Sequence, residues 1–336
     1  VTTRPPEFAL QVEGLRKTYR IFRRGSTFME ALKTLWHRPT TPVQAVDDVS
    51  FTLKTGEMVG FLGPNGAGKS TTLKILAGIL HPTAGKVIAL DGFVPWRDRV
   101  HYVRHIGAVF GQKSQLVWDI PPLDAFHMNR AIYGIAKADF HTRLDELVAL
   151  LDISKTMTQP TRSLSLGERM RCEFALSLLH APSLLFLDEP TIGLDIEAKH
   201  KIRAFIKAIN AKGVTVILTT HDLQDVEHLA RRVILIDQGK LAYDGALDPL
   251  RNLFGNHKRI TLRSETFPEH FSMAGIALLS RTGAAVELQL DLSVTPLHDF
   301  LEHLSRICRL EDLTVSDPPL EDAVRGLYRA GGKSGH

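Results

Sequence analysis

Cysteine is almost missing from this chain. Cys172 and Cys308 are the only two among 336 residues, and they form no C-x-x-C pair, which excludes a disulfide framework and a zinc site built on neighbouring thiolates. Both fall in helical patterns and are expected in the core. Long hydrophobic runs are missing too: no stretch of about 18 apolar residues occurs, so no membrane-spanning helix is expected. The opening residues, Val1-Thr2-Thr3-Arg4-Pro5-Pro6, lack the apolar segment of a secretory signal, and the expected compartment is the cytoplasm. An excess of one charge is lacking as well. With 41 basic against 37 acidic residues and a formal net charge of +4, the overall balance permits contact with nucleic acid or anionic lipid without selecting either. Internal repeats and low-complexity tracts are absent. What remains, 44% hydrophobic and 23% charged residues over 336 positions, describes an ordinary globular chain long enough for two domains.

What the chain does have is a phosphate-binding loop. Residues 63–70 read Gly-Pro-Asn-Gly-Ala-Gly-Lys-Ser and fit G-x-x-x-x-G-K-[ST]. Met58-Val59-Gly60-Phe61-Leu62 before the loop is predicted as a buried strand, and Thr71-Thr72-Leu73-Lys74-Ile75-Leu76 after it as a helix. Such a loop turns backbone N–H groups onto phosphate oxygens, and the following helix adds the positive end of its dipole, about half an elementary charge. The candidate ATP-binding residues are Gly63, Asn65, Gly66, Gly68, Lys69, Ser70 and Thr71. Lys69 is expected to reach the β- and γ-phosphates and Ser70 to ligate Mg2+.

Two further elements follow. Leu184-Leu185-Phe186-Leu187 suits a strand buried on both faces and delivers Asp188 and Glu189 at its C-terminal end, where ligands sit in open α/β sheets. Asp188 is the candidate for the Mg2+ shell. Glu189, alternating to the other side, is placed to orient or deprotonate a water attacking the γ-phosphate. Earlier in the chain, Ser165 followed three residues later by Glu168 forms a capping box at a helix start, and Gly167 permits close backbone approach, so this end can also serve as an anion site.

In this order the three elements resemble the nucleotide-binding subunit of an ATP-binding cassette (ABC) transporter, over residues 8 to about 250. The family signature, Leu-Ser-Gly-Gly-Gln, stands here as Leu164-Ser165-Leu166-Gly167-Glu168. Leu166 implies a position with no need of positive φ, and Glu168 puts an acid near the partner's nucleotide. The resemblance implies an α/β P-loop NTPase fold of the ABC type within residues 1–255: a mixed sheet core, an antiparallel β subdomain, and a helical subdomain, about 113–165, that carries the signature. It implies ATP and Mg2+ as ligands and several more site residues. Gln112 resembles the glutamine that touches Mg2+ or the attacking water, with Gln115 a weaker candidate. Asp195 resembles the aspartate that links the two sites of a dimer. His221, 32 residues beyond Glu189, resembles the switch histidine that donates to the γ-phosphate. Tyr19 resembles the aromatic that stacks on adenine; its other reading is a surface tyrosine beside Lys17 and Arg20. Trp118-Asp119-Ile120-Pro121-Pro122 falls where such subunits meet their membrane partner.

Between residues 20 and 42 the family pattern is interrupted. Arg20, Arg23, Arg24, Lys33 and Arg38 face a single acid, Glu30, while Phe28, Leu32, Leu35 and Trp36 recur at helical spacing between Gly25 and Pro39. This reads as an inserted basic amphipathic helix. It suits the inner leaflet or the transmembrane partner, and equally an apolar face packed on its own domain. Beyond the linker-like Gly255-Asn256, residues 256–336 read as strand (259–263), strand (285–291), helix (296–308), strand (310–315) and helix (320–328). That order resembles the small α+β accessory domain of type-2 ABC exporters of drugs and lipids, a size that gains by packing on a twin or on the main domain.

The resemblance also implies how the parts work. One subunit supplies Lys69, Ser70, Asp188, Glu189 and His221, and the Ser165 helix start of a second subunit, most simply an identical one, covers the γ-phosphate. Separately encoded permease subunits then turn closure and opening into export, with the ATPase peripheral on the inner face of the membrane. Two alternatives share these motifs: an importer ATPase whose tail is a regulatory sensor, and a soluble cassette ATPase acting on nucleic acid or the ribosome. No tandem cassette, long coiled coil or zinc module is visible, so no nucleic-acid partner is expected. A pure nucleotide-binding regulator is a third, which measurable ATPase activity excludes.

Overall fold

The structure, a computed structural model, describes residues 6–22, 40–90, 92–111, 114–220, 223–252, 256–268 and 271–316. The chain divides into two compact units, Val1–Asp244 and Gly245–His336. The division falls ahead of the linker-like Gly255-Asn256 and leaves the short helix Leu247–Asn252 with the second unit.

The first unit opens on a long antiparallel ribbon of β1 (Phe8–Phe22) and β2 (Thr40–Lys54). Its pairing continues out to Phe22 opposite Thr40 and sets Tyr19 opposite Val43. The ends of the 20–42 segment are therefore strand, as suits β-branched Ile21, Thr40, Thr41 and Val43. The basic helix expected between Gly25 and Pro39 lies outside the described residues. A second sheet begins with β3 (Met58–Leu62), while β4 (Ala84–Ala89) joins the ribbon on the free side of β1.

The second sheet runs β5 (Ile106–Phe110), β6 (Leu184–Asp188), β7 (Thr215–Thr219), β3, β8 (Arg232–Asp237) and β9 (Lys240–Ala246), its first five strands parallel. β9 returns through Gln238-Gly239, both at positive φ (46° and 80°), the geometry of a two-residue hairpin, which makes the sheet mixed. Period-two alternation explains the apolar run of β6: Leu184 and Phe186 enter one core, Leu185 and Leu187 the other. The first core joins the sheet to ribbon residues such as Leu10, Phe51 and Leu53 and to Leu73, Ile75 and Leu76 of α1 (Lys69–Leu76). The short α2 (Arg99–Tyr102) closes it, its buried Tyr102 hydroxyl donating to Leu76 O at 2.8 Å.

The other core receives α3 (Pro122–Tyr133), α4 (Lys137–Leu151), α5 (Leu166–Leu178) and α6 (Ile196–Ala211), with α7 (Leu223–Leu229) at its edge. Phe140, Leu144, Leu147 and Leu151 form the buried stripe of α4, the three-to-four spacing of an amphipathic helix. Cys172 of α5 is a buried free thiol whose pKa burial pushes up to about 11.

In the second unit, α8 (Leu247–Asn252) precedes an antiparallel sheet ordered β11 (Ile276–Thr282), β12 (Ala285–Asp291), β10 (His257–Arg263), β13 (Asp312–Ser316), with α9 (Leu297–Ile307) over one face. Ile260, Leu262, Val286, Leu288, Phe300 and Leu304 fill the core, and Cys308 is buried beside them. β11 is not foreshadowed by the sequence because it is an edge strand exposed from Ala277 to Thr282, so no buried alternation marks it. The helix expected over 320–328 lies outside the described residues. Among the described residues, no helix is long and apolar enough to cross a membrane.

Candidate functional site

From Leu62 the chain turns through residues 63–68 into α1. A Cβ on Gly63 would lie 2.2 Å from Ile236 O, and one on Gly68, whose φ is 105°, 2.2 Å from Ala45 O. Only glycine admits these backbone approaches. Ala67 N–H donates to Pro64 O (3.1 Å) and Gly239 N–H to Ala67 O (3.0 Å), which fixes the loop from both sides. Gly68 is the N-cap of α1 and has no side chain to offer, so the first N–H groups of the helix carry no side-chain cap, the condition for an anion site. Lys69 is buried, and its ammonium donates to Gly63 O (2.6 Å) and Pro64 O (3.1 Å). Burial lowers its pKa, against the opposing pull of Glu189 and Asp188.

β6 brings the acids to the same place. Ser70 Oγ donates to Asp188 Oδ1 at 3.0 Å, and the Thr219 hydroxyl of β7 donates to the same oxygen. Asp188 O accepts from Gly111 N–H at 2.9 Å, and Glu189 N–H donates to Thr219 O at 2.9 Å. Glu189 sits at φ 52°, a left-handed conformation that costs a non-glycine residue about 1 kcal/mol. Ser70 and Asp188 are hard oxygen donors converging on one point, a set that suits Mg2+, which takes one or two protein oxygens and completes its shell with phosphates and water. Asn65, Gly66, Gly68, Lys69, Ser70, Thr71, Phe110, Asp188 and Glu189 line one cavity of about 360 Å³.

Several expected residues stand elsewhere. Tyr19 does not line this cavity; its ring lies 5.2 Å from the Lys17 ammonium on the ribbon, and Lys17 donates to His81 O at 2.8 Å. Gln115 turns back, its side-chain amide donating to Ala108 O at 2.5 Å. Gln112 and His221 lie outside the described residues, directly after Gly111 and Thr220.

The start of α5 is a complete capping box. Glu168 N–H donates to Ser165 Oγ (3.3 Å), while Glu168 Oε2 accepts from Ser165 N–H (2.9 Å) and from its hydroxyl (2.7 Å). Those two donors hold the Glu168 carboxyl below its ordinary pKa. Leu166, the position where the signature has glycine, is absent from the positive-φ residues. Ser165, Gly167 and Glu168 line a second cleft together with Asp195, Ala198 and Lys201, and none of the three borders the Lys69 cavity. Asp195 caps α6 by accepting from Ala198 N–H at 2.7 Å. Gly167 allows α5 and α6 to meet here, since a Cβ would come 3.1 Å from Ala198 Cβ.

Two participants escape a motif-based reading. Thr219 is the last residue of β7, next to Thr220, and carries no distinguishing pattern. Glu173 does have a signal: it is an acid within the apolar stretch of α5. Its buried carboxylate accepts from Ser114 Oγ, Gln115 N–H (2.8 Å) and Leu116 N–H (3.3 Å), which ties the segment after β5 to the signature helix. Desolvation raises its pKa despite these donors.

A family described as "ABC transporter" matches residues 46–192. The linearmycin resistance ATP-binding protein LnrL of Bacillus subtilis (strain 168) is 31% identical over 82% of this chain and 91% of its own length. The daunorubicin resistance ATP-binding protein DrrA3 of Streptomyces coeruleorubidus is 30% identical over 84% of this chain and 91% of its own. Among solved structures, an ATP-binding subunit of an ABC transporter superposes with a TM-score of 0.60 at 25% identity, covering 74% of this chain and 93% of that one.

Proposed function

The chain belongs to the ABC transporter family as one of its ATP-binding subunits, and from that premise we propose that each ATP is held by Lys69 of one chain and closed over by Ser165 of another. It is an ATPase. The observation that supports the shared site is the separation described above: the loop and the acids border one cavity, while Ser165, Gly167 and Glu168 border another.

In this reading the N–H groups from Gly66 to Thr71 receive the phosphate oxygens, Asn65 borders the triphosphate, and Lys69 neutralises its β- and γ-charges. Ser70 and Asp188 would hold Mg2+, with Gln112 a further candidate ligand, and the cation would supply neutralisation of phosphate charge. Glu189 accepts a proton from the attacking water, and His221 donates to the γ-phosphate. Tyr19, which stands outside the phosphate cavity beside Lys17, is the proposed adenine contact. The uncapped helix start of α1 and the Ser165 end of the second chain face the triphosphate from opposite sides, so the γ-phosphate bridges two proteins. Hydrolysis removes the bridge and lets them part. Asp195, in the cleft of Ser165 and Gly167, carries contact across that junction.

The resistance named for the two relatives supports export as the direction of transport. Separately encoded permease subunits form the path, the ATPase pair is a homodimer on the inner membrane face, and the second unit stabilises the pair.

Glu189→Gln tests the shared site. It should bind ATP with wild-type affinity, lose hydrolysis by about a hundredfold or more, and elute as a dimer only with ATP. Monomeric behaviour at every concentration, with and without the membrane partners, would defeat the proposal.

A further inference from the structure

A buried carboxylate that belongs to none of these motifs joins four segments of the first unit. Asp225 of α7 is fully buried. Arg203 of α6 donates Nε–H to its Oδ1 at 2.6 Å and brings Nη2 to 2.5 Å of the same oxygen. The Thr191 hydroxyl donates to Oδ2, and Thr220 Oγ1 donates to it at 3.3 Å. Thr191 and Thr220 are each 2% exposed and Arg203 is 7%.

The origins of these donors matter more than their number. Thr191 lies two residues after Glu189, in the segment that ends at Asp195. Arg203 is on the helix that Asp195 caps. Thr220 follows β7 and precedes His221. A buried ion pair adds little net stability compared with apolar packing, but removing any partner leaves charge unsatisfied in the interior, so such a group defines geometry more than it holds a fold together. A shift of these segments against one another would strain the bonds they share at Asp225.

We propose that Asp225 is a positioning residue that makes the 189–195 segment, α6 and the start of α7 move as one piece, so that contact by a second chain at the Asp195 end of α6 sets the placement of Glu189. The inference rests on the roles assigned above to Glu189 and Asp195. It adds that hydrolysis depends on a polar clasp whose residues line neither the Lys69 cavity nor the Ser165 cleft.

Thr191 provides the sharpest probe because Thr191→Val keeps the shape and removes only the hydroxyl, whereas Thr191→Ser keeps the hydroxyl. With ATPase measured across ATP concentrations, Thr191→Val should lower kcat about tenfold or more, as slight misplacement of a catalytic group does, with KM within about twofold of wild type. Thr191→Ser should restore most of that kcat. Ile206→Val, in the apolar face of the same helix, serves as a packing control and should keep kcat at a comparable Tm. Wild-type kcat in Thr191→Val, or an equal loss in Ile206→Val, would overturn the proposal. Glu189→Gln is measured alongside: full turnover there would remove the reading on which the proposal rests, whereas loss there with an unaffected Thr191→Val would remove the clasp alone.

Discussion

Gly68 and Gly66 separate two reasons for glycine in one loop. Gly68→Ala adds a Cβ 2.2 Å from Ala45 O and also strains φ at 105°, so stability should fall by more than about 2 kcal/mol and ATP binding should be lost. Gly66→Ala meets no atom within 4 Å and bears only its φ of 83°, a penalty of about 1 kcal/mol. Thermal melts of the two variants compare these directly, and equal losses would mean that the approach of Ala45 is not what position 68 serves. Lys69 adds a pH dependence. Burial favours its neutral form, while a polyphosphate favours the charged one, so ATP affinity is greatest where the lysine is protonated and declines as pH rises through its lowered pKa. Lys69→Met should weaken binding and flatten that alkaline decline in titrations of affinity against pH; an identical decline in the variant would assign it to another group. The motif names both glycines, yet only the fold reveals that Ala45 of β2 occupies the space beside one and leaves the space beside the other open.

At the level of elements, the start of α5 combines two roles that a substitution can divide. Aspartate still accepts from Glu168 N–H but cannot donate to Glu168 Oε2 as the serine hydroxyl does, so Ser165→Asp and Ser165→Ala should each lose about 1 kcal/mol. If the helix end also receives a partner's γ-phosphate, the added negative charge of Ser165→Asp should abolish ATP-driven dimerisation and hydrolysis while single-chain ATP binding stays intact. Retained hydrolysis in Ser165→Asp would make the serine a cap and nothing more. The capping box was legible because its donors and acceptors lie three residues apart. So was β6, since burial on both faces demands consecutive apolar residues. β11 was not, because an exposed edge strand is held by backbone pairing to β12, which leaves no constraint on its side chains. Asp225 was hidden for a related reason: its partners come from Thr191, Arg203 and Thr220, and no local spacing links them.

At the level of the whole molecule, the pairing of β1 and β2 reaches Phe22 opposite Thr40, the two residues that flank 23–39 in the sequence. Replacing that segment with an Asn-Gly turn suits the pairing and should leave ATPase activity of the isolated subunit unchanged. If the basic residues rest on an anionic leaflet, each contributing about 1 kcal/mol, the same deletion should release the chain from vesicles containing acidic phospholipid; undiminished cosedimentation and transport would remove that role. By itself the sequence determined the phosphate loop, the adjacent acids and the serine cap, because each depends on a few consecutive residues and the backbone conformation they favour. Only the tertiary structure decided that Lys69 and Glu189 share one cavity while Ser165 and Asp195 share another. Those neighbourhoods arise from strand order and from packing between distant segments, which local patterns do not encode.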